Sequence, residues 1–163
     1  MIQTILHENG NTRGTGKGAG ILIVEDEPII AMDLASSLKN LGFTVRGTAY
    51  TGDEAIAMTS VLKPDLLIMD IELKGEMDGI TAVKKIRQIS DVPVIYLTAH
   101  TNEFTFLRAI ETGPYGYLLK PVGKNDLYAS IETALHRRAL ENSLQESETR
   151  YRRLIETLPQ AIV

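Results

Sequence analysis

Apolar and polar positions along the chain alternate between two periods. Five short runs, 21–24, 44–49, 66–69, 94–97 and 115–118, are rich in β-formers and nearly continuous in apolar character, as expected of strands covered on both faces. Between them, 28–41, 52–62, 79–89 and 102–112 place apolar residues at helical spacing. Helix-start chemistry stands where it is needed: Asp53 and Glu54 follow Thr51, and Asp78 precedes Gly79, setting acceptors and negative charge at the unpaired N–H groups of a first turn. Gly42 and Gly113 fall where helices should stop, because glycine accepts the left-handed conformation of a C-terminal cap. Strands alternating with helices specify a five-stranded parallel sheet with right-handed crossovers, the doubly wound α/β class.

The two ends depart from this rhythm. Gly10, Gly14, Gly16, Gly18 and Gly20 are interleaved with Asn, Thr, Arg and Lys; such a segment buries little and is costly to order, which predicts a flexible leader over 1–19. Gly16-Lys17 is not a phosphate-binding P-loop, which needs a Gly where Asn11 stands and a Ser or Thr where Gly18 stands. At the other end, the chain runs past Leu127 and Ile131 to Leu158 without Gly or Pro, which predicts an extended C-terminal helix. Within it Leu144, Tyr151 and Leu158 recur every seven residues, with Leu140, Ser147 and Leu154 in the paired slots. The pattern fits an amphipathic helix resting on another domain, or a short coiled coil or signalling helix over 138–158.

Composition narrows the function classes. A net charge of −4, from 17 Lys+Arg against 21 Asp+Glu, gives no field that would attract nucleic acid. The absence of Cys removes disulfides, thiolate metal sites and cysteine nucleophiles. The early apolar run 19–24 has six residues, against the about 20 of a membrane span and the about 7 of a signal-peptide core, so a cytoplasmic chain is expected.

In open parallel sheets the ligand site lies beyond the carboxyl ends of the strands. The residues just past the apolar runs are Glu25, Asp26 and Glu27, then Asp70, then Thr98 and Ala99, and finally Lys120 and Pro121. The fold therefore gathers carboxylates, a hydroxyl and an ammonium at one edge of the sheet. Carboxylates brought together repel one another, and Mg²⁺ is the natural offset, since it takes oxygen from one or two carboxylates and completes its shell with water and phosphate. Lys120 adds a flexible point charge suited to a phosphoryl oxygen, and Thr98 can donate to another. Taken singly each residue also reads as a helix cap or a loop; together, four strand ends supplying the required types point to a site.

The motifs ILIVEDEP over 21–28, DLLIMD over 65–70, Asp78-Gly79, VIYLTA over 94–99 and YLLKP over 117–121 resemble the receiver domain of two-component response regulators, over about 20–137. The resemblance implies a sheet in order 2-1-3-4-5 with five helices. It implies Asp70 as the phosphorylated aspartate and Asp26 as a direct metal ligand with Asp70. Glu25 would act on the metal through water and Glu72 through its backbone carbonyl. Thr98 and Lys120 would contact the phosphoryl group, Tyr117 would be the aromatic switch working with Thr98, and the Lys120–Pro121 bond would be cis. The implied cofactor is Mg²⁺, with Mn²⁺ as a substitute. The implied phosphodonor is a histidine kinase or a phosphotransfer protein. Such a domain is a signalling phosphoacceptor that assists its own phosphorylation and dephosphorylation, and the face built from the fourth helix, fifth strand and fifth helix would change on phosphorylation.

Two features depart from the commonest pattern of that family. The loop 73–79 is one residue longer, and being at the surface it should be tolerated. Glu72 and His100, two residues beyond Asp70 and Thr98, are expected to pair across the site mouth and tune the lifetime of the phosphorylated state. From 144 onward the chain is similar to the lead-in of a PAS sensor domain, so 159–163 is read as the start of a following domain in a receiver–sensor protein or hybrid histidine kinase. His136 lacks a kinase phosphoacceptor pattern and no helix-turn-helix follows. The expected partners are therefore the phosphodonor and a downstream sensor or kinase domain, with a homodimer as a candidate assembly and no nucleic acid or membrane. A haloacid-dehalogenase-type phosphatase would need an Asp where Glu72 stands and a nucleophile after the first strand. A flavin or nucleotide site would need a phosphate loop where three acids stand. A contact-only receiver would not need its catalytic positions filled.

Overall fold

The computed structural model describes residues 16–99 and 102–158. Strands β1 (Gly20–Val24), β2 (Thr44–Ala49), β3 (Leu66–Asp70), β4 (Val94–Thr98) and β5 (Gly116–Leu119) form one parallel sheet in the order β2-β1-β3-β4-β5. Helices α1 (Pro28–Asn40), α2 (Gly52–Leu62), α3 (Gly79–Ile86), α4 (Glu103–Ile110) and α5 (Lys124–Thr157) supply the crossovers and the C-terminal extension.

Strand alternation divides the core in two. Leu22 and Val24 of β1, Leu67 and Met69 of β3, and Val94 and Tyr96 of β4 point to one face, where Ala55 of α2, Ile80, Val83 and Ile86 of α3, and Ala109 of α4 cover them. The intervening Ile21, Ile23, Leu66, Ile68, Ile95 and Leu97 point to the other, against Leu34 and Leu38 of α1 and Leu127, Ile131 and Ala134 of α5. This two-residue alternation, sealed by helices on both sides, explains why β1, β3 and β4 are buried throughout. The outer strands differ from the sequence expectation of full cover. β2 and β5 are only half-buried, because each lies at an edge of the sheet.

Local signals set most boundaries. Thr51 accepts from Glu54 N–H at 3.2 Å and Asp78 accepts from Thr81 N–H at 2.8 Å, capping α2 and α3. Helix α3 ends at Ile86 and residues 87–89 form turns, three residues short of the predicted end. There the Arg87 guanidinium turns to the Thr112 and Val92 carbonyls, at 3.1 and 2.5 Å. Helix α2 stops at Lys63, which takes a φ of 46° without being glycine, so no Gly marks that stop in the sequence.

Of the leader expected over 1–19, residues 1–15 lie outside the described residues, whereas 16–19 are tied to the body. Gly18 N–H donates to Gly42 O at 3.0 Å, and Ala19 O accepts from Thr44 N–H at 2.9 Å. Among the described residues no helix is long and apolar enough to cross a membrane.

Candidate functional site

The sheet register assembles the site. β3 pairs Asp70 with Leu97, and β4 pairs Thr98 with Leu119, so the last residue of β3, the last of β4 and the first beyond β5 stand side by side. Glu25 and Asp26 follow directly on β1, the strand on the other side of β3. Lys120 N–H donates to Thr98 O at 2.8 Å, which fixes the start of its side chain, and the Lys120–Pro121 peptide bond is cis.

Three carboxylates and one ammonium converge at this edge. Glu25, Asp70 and Thr98 are buried, with 0%, 2% and 1% of their surface exposed, and Asp26 is half-buried at the rim. Lys120 Nζ donates to Glu25 Oε2 at 2.7 Å and to Asp70 Oδ2 at 2.8 Å. The other Asp70 oxygen accepts from Glu72 N–H at 2.9 Å, and the other Glu25 oxygen accepts from Glu27 N–H at 3.1 Å. Burial pushes the Glu25 carboxyl up to about 7 despite the Lys120 and Glu27 donors, and the Asp70 charge adds to the rise. Burial also opposes the Lys120 charge, but the Asp70 and Glu25 carboxylates outweigh it and hold the ammonium above its ordinary value.

Glu25, Asp26 and Asp70 each offer a carboxylate oxygen, all within 4.8 Å of one another. One ammonium cannot balance three such groups, and the donors are hard oxygens with a rim open to water, so the residues present fit Mg²⁺. Both oxygens of Glu25 and both of Asp70 are engaged inside the protein, while Asp26 stands half-buried at the rim, the carboxylate most open to an ion from solvent. Asp26 Oδ2 accepts from Lys74 N–H at 2.9 Å, so the 73–79 loop, exposed over 74–76, reaches the site through its backbone.

The remaining predicted site residues divide. Glu72 is exposed, while its N–H holds Asp70. His100 lies outside the described residues, and so does the expected pairing of His100 with Glu72. Tyr117 is half-buried; its ring meets Phe106 of α4 edge-on at 5.2 Å. Its hydroxyl is enclosed with no hydrogen-bond partner among the described residues.

Sequence reasoning missed two supports of the site. A Cβ on Gly79 would stand 2.0 Å from the Asp70 carbonyl oxygen, so this glycine lets α3 approach the backbone of β3 at Asp70. The Asp-Gly step was visible in the sequence, but its packing reason was not. Asp78, besides capping α3, receives Arg108 of α4 at 3.0 Å. Burial would raise the Asp78 carboxyl, yet the Thr81 N–H and the Arg108 guanidinium prevail and hold it below its usual value.

Residues 21–132 match the response regulator receiver domain family. The chain is 39% identical over 117 residues to the transcriptional regulatory protein PdtaR of Mycobacterium tuberculosis, covering 72% of this chain and 57% of PdtaR. Among solved structures, the signal receiver domain of a modulated diguanylate cyclase from Desulfovibrio desulfuricans superposes with a TM-score of 0.72 at 38% identity, over 76% of this chain and 98% of that one. The N-terminal domain of a response regulator/sensory box/GGDEF 3-domain protein from Carboxydothermus hydrogenoformans gives a TM-score of 0.68 at 39% identity, over 77% and 98%. The chain spans about half the length of the curated relatives it matches, 57% for PdtaR and 50% for the regulator PhyR of Methylorubrum extorquens.

Proposed function

The chain belongs to the response regulator receiver domain family, and from that membership we propose that Asp70 takes a phosphoryl group from the phosphohistidine of a histidine kinase or phosphotransfer protein. The observation that carries this reading is the Asp70 carboxylate itself. It is buried at the end of β3, with one oxygen on the Lys120 ammonium and the other on the Glu72 N–H. In transfer, an Asp70 oxygen bonds to phosphorus as the phosphorus–imidazole bond breaks, and the histidine leaves with its electron pair. Lys120 is placed to follow the charge onto the phosphoryl oxygens, a role of positioning and electrostatics. Asp26 and Asp70, with the Glu72 backbone carbonyl and Glu25 acting through water, would hold Mg²⁺ or Mn²⁺, which when bound supplies further charge neutralisation at the transferring group.

The output follows from the neighbours of Asp70. The Thr98 hydroxyl turns toward the new phosphoryl oxygens and leaves room for the Tyr117 ring, which withdraws from its edge contact with Phe106 and reshapes the α4-β5-α5 face. Glu72 and His100 set how quickly water removes the phosphoryl group. We place the chain in the cytoplasm and its output in a following sensor domain, of the PAS type or within a hybrid kinase. The order of receiver and sensory box in the Carboxydothermus relative supports that placement.

Nuclear magnetic resonance tests the switch. Beryllofluoride with Mg²⁺ should shift the amides of Asp70, Thr98, Tyr117 and α4 together, and none of them in Asp70→Asn. Shifts confined to residues beside Asp70 would contradict the coupling to Tyr117.

A further inference from the structure

Of the five helices, α4 buries least. Ala109 is its one buried residue, whereas α1, α2 and α5 each bury three and α3 five. Phe104, Phe106, Leu107 and Ile110 of α4 are exposed. A helix with so little buried surface takes its position from a few specific contacts, and changes in those contacts move it.

Two of those contacts act on opposite sides of α4. Phe106 meets the Tyr117 ring of β5 edge-on at 5.2 Å. Arg108 lies about 200° further round the helix, and its Nη1 donates to Asp78 Oδ2 at 3.0 Å, just ahead of α3. Asp78 is a firm anchor. Its other oxygen, Oδ1, accepts from Thr81 N–H at 2.8 Å, and the adjoining Gly79 N–H donates to Ile71 O, the residue after Asp70, at 2.9 Å. The Arg108 and Asp78 side chains keep 30% and 33% of their surface exposed, so water and salt weaken the pair without abolishing it. When Tyr117 withdraws into the room left by Thr98, α4 loses its hold on the β5 side, and the ion pair remains on the α3 side. Any step of α4 after Tyr117 then lengthens the Arg108–Asp78 contact. The pair therefore stabilises the arrangement that precedes phosphorylation.

We infer that Arg108 is a positioning residue for the switch: through Asp78 it holds α4 in its unphosphorylated place and so restrains phosphorylation of Asp70. The inference rests on the reading of Asp70 as phosphoacceptor and Tyr117 as switch. Coupling between two sites is reciprocal, so a restraint on α4 also weakens the binding of a phosphoryl mimic at Asp70. Severing the pair favours the mimic. A pair that only stabilised the fold would, when cut, leave the affinity for the mimic where it was or lower it.

Beryllofluoride, titrated into the full chain at fixed Mg²⁺ and followed by amide resonances, tests the restraint. Arg108→Met keeps the stem of the side chain and removes its charge, and Asp78→Asn removes the charge while keeping the helix cap. Each should bind beryllofluoride about threefold more tightly than the wild type, the scale of a partly exposed ion pair. The double variant should bind no more tightly than either alone, because both substitutions remove one interaction. Arg108→Lys, which keeps the charge, should stay near the wild type. In the free protein, Arg108→Met should move the α4 amides part of the way toward their beryllofluoride-bound positions. Equal or weaker binding by both single variants, or gains that add in the double variant, would overturn the restraint. A wild type with no beryllofluoride shift, or with a shift that Asp70→Asn leaves intact, would instead overturn the phosphoacceptor reading and the inference with it.

Discussion

At the scale of single residues, Glu25 and Gly79 define the site as firmly as Asp70 does. In the unfolded chain the Glu25 carboxyl titrates near its ordinary 4.5; buried beside Asp70 it titrates at about 7. The fold thus binds the Glu25 proton more tightly than the unfolded chain does. Its contribution to stability is full below pH 4.5 and lost as pH rises toward 7, with a slope of at most about 1.4 kcal/mol per pH unit. Urea unfolding in magnesium-free buffer should show this decline across pH 5–7, and Glu25→Gln, which keeps the shape and removes the charge, should flatten it. Gly79 acts by being small. Gly79→Ala would press a methyl group into the Asp70 carbonyl, and since backbone cannot swing aside as a side chain can, a loss of about 3 kcal/mol is expected. The same variant should slow phosphorylation of Asp70 even where it is fully folded, which a urea titration beside a phosphorylation time course would show.

At the scale of elements, β5 joins the two ends of the molecule. Tyr117 on this strand meets Phe106 of α4 near the site. Tyr115, just before the strand, donates its hydroxyl to Glu141 of α5 and lies under the Arg137 guanidinium, 4.2 Å from ring centre to charge. Arg137 also pairs with Glu141 at 3.0 Å. This cluster closes over α5 where the helix leaves the body, and so sets the direction in which the extension departs. Tyr115→Ala should loosen that departure: amide exchange should quicken over 137–145, while phosphoryl gain at Asp70, at the carboxyl end of the central strand β3, stays unchanged. Exchange left at the wild-type rate would mean that the buried turns around Leu127 and Ile131 hold the helix alone. The elements are also where the sequence was read best and worst. The continuous apolar runs between helical segments placed all five strands, and the family resemblance supplied their order in the sheet. Helix ends were read well where a side chain made the cap, as at Thr51 and Asp78. The end at Lys63 fell where the spacing put it, although a left-handed lysine and no glycine stands there, whereas the end at Arg87 was read poorly because tertiary hydrogen bonds stop that helix without a local signal.

At the scale of the whole molecule, the acidic edge was legible because the topology alone brings the strand ends together, and the residues that fill it follow each apolar run directly. The supports around it were not. Arg108 reaching Asp78, Lys74 N–H on Asp26 and the ordering of residues 16–19 against Gly42 and Thr44 all join positions distant in sequence, and no local pattern encodes such contacts. The central claim is that this edge exists to phosphorylate one carboxylate. Incubation with acetyl phosphate and Mg²⁺, followed by intact-protein mass, tests it most directly. A gain of a single phosphoryl group that requires Mg²⁺ and is lost in Asp70→Asn is the expected result. An unmodified mass in the folded protein, or a gain that survives Asp70→Asn, would contradict it.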